Sequence, residues 1–301
     1  ALSGLAIGLV GMGWTLAVAI AFTAVPLVHL LFVRIPEDAP TPDPGSKILD
    51  IRGAAAAIRA VPGLFALILF STFNNLIGGL YMALMDPYGL ELFDVKMWGV
   101  VLAVTATGFL IGGGIVAAKG LGENPIRTLL LAVAVMGLLG AVFTLREWWW
   151  LYAVGIWAYM TLVPVIESAE QTVIQKVVPF ERQGRVFGAA TALEVSTGPI
   201  TSFAIAPIAE FWIIPYLRTD EGERTWSWLL GEGEMRGIAL IFLVGGLIMV
   251  AAALAAFLTR SYRTLSAEYR DAPETAEADA AAPATGIPSS SREAAGGVAA
   301  D

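Results

Sequence analysis

The residues of this sequence that could do chemistry are carboxylates and amides set within long apolar runs. Glu167, Glu170 and Gln171 lie near the end of the apolar segment that starts at Trp149, and Glu194 lies inside the next one. Asn74 and Asn75 sit midway along an earlier run, after Ser71 and Thr72 and before Gly78 and Gly79. Ionisable groups in a segment long enough to cross a bilayer are costly, so each needs an explanation. A carboxylate taken out of water holds a proton more readily and can carry one. Mid-helix amides can bind a substrate, or they can bond across helices as packing glue.

Spacing separates these candidates. Thr161, Pro164, Glu167, Ser168, Gln171 and Gln175 recur at three or four residues, which places them on one helical face. Lipid would not tolerate that stripe, so it should face protein or a water-filled cavity. Pro164 locally frees a backbone carbonyl and favours a bend beside the polar patch. With Trp149 at the outer end, Glu167 lies about 27 Å along the helix, and Glu170 is nearer the cytoplasmic water. Two readings of this pair stand. One is an ion pair with Arg182 or Arg185 that latches the inner end, so that Glu170, Arg182 and Arg185 form a cytoplasmic gate. The other is a cation or proton site whose protonation changes during transport. Glu194 is expected about two turns inside its span, with Thr191, Thr197 and Ser202 nearby and Gly198-Pro199 able to break the helix. There it reads as a proton carrier ahead of a satisfied structural carboxylate. Adjacent amides point about 100° apart, so one of Asn74 and Asn75 is expected to face a cavity. The proton or substrate pathway is therefore read as Glu194, Glu167, Gln171, Asn74 and Asn75.

The elements that must position these groups follow from composition. The chain is 57% hydrophobic and only 15% charged, with a mean hydropathy of +0.72. That is the profile of an all-α, polytopic membrane bundle, whose partner is the lipid bilayer. The net charge of −8 owes part of its size to an acidic tail and does not point to nucleic acid. With one histidine and no cysteine there is no His/Cys metal cluster, no disulfide and no thiolate chemistry. His29 reads as a helix-end residue reaching toward headgroups. Gly108, Gly112, Gly113 and Gly114 are not followed by Gly-Lys-Ser/Thr, so they read as small residues for close helix packing and not as a phosphate loop. Nothing supports a hydrolase triad; neither a cofactor nor an enzymatic activity is expected.

Residues 1–12 are apolar but too short to cross and read as the remnant of a span, with a turn at Gly11 and Gly13. The first complete span is then 14–33. Further spans fall at 62–85, 97–118, 126–145, 149–172, 187–214 and 237–259. The domain reading is an end of an N-terminal helical half at 1–34 and an inter-half linker at 35–61, with an interfacial helix over 48–60. A six-helix half at 62–260 follows, then a disordered tail at 261–301. The segment 179–187 reads as a basic loop. Most of the 18 Lys and Arg residues fall on the 35–61 linker, the Lys119–Arg127 and Lys176–Arg185 loops and the tail, which should be cytoplasmic. The acidic loops carrying Asp86, Glu91, Asp94 and Asp220–Glu234 should face outside, with Trp148–Trp150, Trp226 and Trp228 at that interface.

Several segments together resemble a family. They are Val33-Arg34-Ile35-Pro36, Ala60-Val61-Pro62-Gly63-Leu64, Gln175-Lys176-Val177-Val178-Pro179 with Gln183-Gly184-Arg185-Val186-Phe187, Pro207-Ile208-Ala209-Glu210 and Met235-Arg236-Gly237. In this order they are similar to the C-terminal half of a major facilitator superfamily transporter, of the macrolide-exporter-like or transmembrane secretion effector group. The Lys119–Arg127 loop keeps the family's Gly and basic character but not its acidic residue. The resemblance implies a twelve-helix fold whose N-terminal spans precede this chain. It also implies proton-coupled export of a small amphipathic substrate by two halves that rock, a bacterial inner-membrane location and a cytoplasmic C-terminus. Facilitated uptake and a non-transporting accessory or scaffold role are the alternatives.

Overall fold

The structure, a computed structural model, describes residues 2–33, 51–230 and 235–272, and every regular element among them is helical. The order is α1 (Leu2–Phe32), α2 (Ile51–Ala60), α3 (Leu64–Leu92), α4 (Val95–Lys119), α5 (Pro125–Val142) and α6 (Trp149–Val177). Then come α7 (Phe180–Ile208), a π-helical turn (Ala209–Ile213), α8 (Ile214–Leu217), α9 (Asp220–Leu230), α10 (Arg236–Leu258) and α11 (Arg260–Asp271). Seven of these segments are long and apolar enough to cross a membrane: α1, α3, α4, α5, α6, the run from α7 through α8, and α10.

Helix starts follow from side-chain chemistry. Asp94 accepts from the backbone N–H groups of Lys96 and Met97 at the start of α4. Asn124 accepts from Arg127 N–H ahead of α5, with Pro125 in the first turn, where its missing N–H costs nothing. Thr219 and Thr259 do the same for α9 and α11 by accepting from Gly222 N–H and Tyr262 N–H.

The bundle is held by paired helices: α5 with α10, α4 with α6, α3 with α7, and α5 with α6. Missing side chains make the closest approaches possible. A Cβ on Gly137 would fall 2.7 Å from Gly246 O, and one on Gly108 would fall 2.7 Å from Trp157 O. A Cβ on Gly112 would collide with Thr161 O and meet Pro164 Cγ at 2.7 Å. Gly113 and Gly114 face open space, so the small-residue seam of α4 is Gly108 and Gly112 alone.

At the α9 end, Tyr81, Tyr88, Phe143, Tyr152 and Phe242 interlock as an aromatic core. Tyr81 stacks on Phe242 with centroids 4.7 Å apart and donates its hydroxyl to Phe242 O at 2.7 Å. Tyr152 donates to Met85 O at 2.7 Å. At the opposite end, Gly63 (φ 86°) turns the chain into α3. A Cβ there would meet Ser261 O at 2.7 Å, so α11 can pack directly onto the turn.

Several expectations are corrected. Residues 2–32 form one continuous helix, with no turn at Gly11 or Gly13. In an uninterrupted apolar run each peptide keeps its i−4 partner, and glycine alone does not end that. The basic segment 180–187 is helical, the first two turns of α7, so only Val178 and Pro179 separate it from α6. Residues 220–230 and 260–271, read as loop and disordered tail, are amphipathic helices that bury Leu230 and Leu265. The described part of the interfacial helix, Ile51–Ala60, buries Ala54, Ala57 and Ile58, while Ile51 is exposed. The rest of the predicted linker, residues 34–50, and the tail beyond 272 lie outside the described residues. From Gly13 to the end of α1 at Phe32 no residue is buried.

Candidate functional site

A cavity of about 840 Å³ lies among α3, α4, α5, α6 and α7. Its polar wall is Asn74 and Asn75 from α3, Glu167, Glu170 and Gln171 from α6, and Thr191, Glu194 and Thr197 from α7. Its apolar wall includes Met82, Phe109, Met136, Tyr159, Met160 and Phe187. Among the described residues no Lys, Arg or His lines it.

Local structure explains how each helix presents its groups. Pro164 and Pro199 leave the carbonyls of Met160 and Val195 without an i+4 donor within α6 and α7, yet both helices continue through them. Thr201 ties α7 to α3 by donating to Leu76 O at 3.0 Å. Gly79 makes room for it, since a Cβ there would stand 3.2 Å from the Thr201 side chain. Because α7 starts at Phe180, Glu194 lies about four turns into its helix, not two. Gly198-Pro199, able to break the helix, does not end it: α7 runs on to Ile208, and a π turn follows at Ala209–Ile213, where Ile214 N–H reaches back to Ala209 O just before Pro215.

The structure brings all five predicted pathway residues to one cavity. Asn74 and Asn75 both line it, where one was expected, because the cavity spans a wide arc of α3. Asn75 donates to Ser71 O at 3.0 Å, whereas Asn74 Oδ1 is buried without a hydrogen bond. Glu167 and Gln171 are exposed on the cavity's open side, while Glu170 is only 8% exposed. Ser71 on α3 is the neighbour of Glu170, together with Glu194 across from α7 and Glu167 one turn back. The approach stops short of formed bonds: Ser71 Oγ and Glu170 Oε1 both lack a hydrogen-bond partner on the protein.

The predicted gate is not assembled. Glu170 makes no ion pair with Arg182 or Arg185 and meets carboxyl groups instead. Both arginines are exposed on the first turns of α7. Neither is among the residues that line the cavity. What closes the α6–α7 corner is Gln183, which donates to Gln175 O at 2.8 Å and to Val178 O at 3.0 Å. It thereby satisfies carbonyls at the end of α6. Sequence reasoning missed that role and Ser71's position beside Glu170. The available signal for Ser71 was its spacing of three residues from Asn74, which shares a helical face. Among the described residues no cluster of three or more His, Asp or Glu side chains has the arrangement to hold a metal ion.

No family model and no curated protein matches the chain. Among solved structures it is similar to a bacterial homolog of the human lysosomal transporter Spinster, in an inward-facing and unoccupied conformation. The TM-score is 0.40 at 16% identity over 87% of this chain. The chain spans 60% of the length of that structure. A likeness that distant supports neither a family nor an activity.

Proposed function

We propose that the protein is a secondary transporter of the bacterial inner membrane, exporting a small amphipathic compound in exchange for protons by alternating access. The observation that supports this reading is the cavity: about 840 Å³, open on one side, with Glu167, Glu170 and Glu194 and, among the described residues, no basic side chain in its wall. Packing glue would be small and closed, with its polar groups paired. Here three carboxylates converge in a space large enough for a ligand. In this reading Glu170 and Glu194 carry the proton as a pair, and the methionines and aromatic rings take the apolar part of the substrate. Glu167, Gln171 and the amides meet its polar part. The α2 and α11 end, with the C-terminus, is cytoplasmic.

The helices α3–α7 and α10 would form the C-terminal half of a twelve-helix major facilitator bundle of the macrolide-exporter-like group. The open side of the cavity would face a second six-helix half. Rocking of the halves would expose the cavity alternately to each side.

The test is accumulation of a fluorescent lipophilic probe, ethidium, in cells with and without the protein. Export predicts lower accumulation, restored by an uncoupler and by Glu194→Gln. An uncoupler without effect, or undiminished export by Glu194→Gln, would contradict the proton-coupled mechanism.

A further inference from the structure

We infer that Ser71, Asn74, Glu170 and Glu194 form a coordination site for a small monovalent metal cation, Na+, which competes with the proton for the same carboxyl pair. This deepens the proposed coupling role of that pair and rests on it. Five buried side-chain oxygens lack a hydrogen-bond partner among the described residues: Ser71 Oγ, Asn74 Oδ1, Thr144 Oγ1, Glu170 Oε1 and Ser266 Oγ. Thr144 and Ser266 lie apart, just past the end of α5 and on α11. The other three belong to the α3 and α6 faces of the cavity region. Ser71 and Asn74 stand one turn apart on α3, and Glu170 faces Ser71 from α6. Ser71 is 2% exposed and Glu170 8% exposed. A buried polar group without a partner is uncommon and calls for a cause such as a bound ion.

The chemistry of the set selects the ligand. Every group offers an oxygen, which suits a hard cation. Glu194 reaches the same point from α7 and Glu167 adds negative charge from the next turn of α6. The α4 and α5 contributions to the cavity, Phe109 and Met136, are apolar, and Tyr159 adds a neutral phenol. Among the described residues nothing positive in the wall balances the carboxyls. One Na+ with one of the two carboxyls protonated leaves the site neutral. Two protons and no Na+ do the same, so the ion and the second proton exclude each other. A divalent ion fits less well: Ca2+ takes 6–8 oxygen ligands and Mg2+ sheds water reluctantly.

The test is equilibrium binding of radioactive 22Na+ to the purified protein in detergent, with thermal unfolding in Na+, K+ and choline chloride at matched ionic strength. The expected result is saturable 22Na+ binding and a Na+-specific rise in unfolding temperature. Affinity should fall by about tenfold or more between about pH 8.5 and about pH 5.5 as protons take the site. Ser71→Ala and Asn74→Ala, which remove unpaired oxygens and should fold normally, are expected to weaken binding by roughly tenfold. Glu170→Gln should abolish it. No Na+ binding at the higher pH, equal effects of Na+ and K+, or wild-type affinity in both α3 variants would each overturn the inference. A pH-dependent unfolding temperature without Na+ binding would overturn it and leave proton coupling standing. Na+ binding alongside uncoupler-insensitive export would support the site and remove the proton-driven reading.

Discussion

The aromatic core at the α9 end and the cavity between α3, α6 and α7 are built from the same helices with opposite accounting of polar atoms. In the core, Tyr81 and Tyr152 are buried, and each hydroxyl reaches a backbone carbonyl at 2.7 Å. Their rings lock at centroid distances of 4.7–6.0 Å to Phe242, Phe143, Trp98 and Tyr88. At the cavity, Asn74 and Glu170 in its wall and Ser71 behind it keep buried oxygens unpaired. A satisfied hydroxyl holds one packing; an unsatisfied carboxyl destabilises the resting state and waits for a ligand. α3 and α6 thus run from a rigid end to a responsive one.

Substitutions can break that contrast. The largest effect is expected from Glu170→Gln and Glu194→Gln, which should reduce uncoupler-sensitive export at least about tenfold with unfolding temperature unchanged or raised, since each removes a carboxyl that faces other carboxyls. A marked loss of stability would mean that the carboxyls hold the bundle together. Next is Gly112→Leu, which overpacks the contact with Thr161 and Pro164. It should cost about 3 kcal/mol in detergent unfolding, whereas Gly113→Leu, facing open space, should stay within about 0.5 kcal/mol. Tyr81→Phe and Tyr152→Phe should each lose about 1 kcal/mol and leave export intact, the reverse of the carboxyl variants. Gln183→Ala is expected to cost about 1 kcal/mol or less, by freeing the end of α6 without touching either region.

Much of the architecture was legible because membrane-length apolar runs leave few alternatives. The seven long segments and the stripe through Glu167 and Gln171 follow from length and period. The Gly108–Gly112 seam was readable as spacing, though not which helix it meets. Three things escaped for physical reasons. Charged amphipathic stretches such as 220–230 and 260–271 look like loops until a packed Leu230 or Leu265 shows what they rest on. The Gln183 contact spans a chain reversal, so no local pattern announces it. The meeting of Glu170 with Glu194 and Ser71 joins the consecutive helices α6 and α7 to α3 far upstream, and each residue alone invited a different partner. Arg182 and Arg185 were cations close by in sequence, but neither lines the cavity.

The most direct test of the central claim, that the carboxylate-lined cavity is a water-accessible path and not packing, uses the absence of any cysteine in the chain. Gln171→Cys, on the open side of the cavity, and Ile156→Cys, 2% exposed among the helices, would be treated with a membrane-impermeant maleimide in right-side-out and inverted vesicles. The account predicts rapid labelling at 171 from at least one side and none at 156. A thiol at 171 that stays unreactive from both sides, in protein that folds normally, would contradict it.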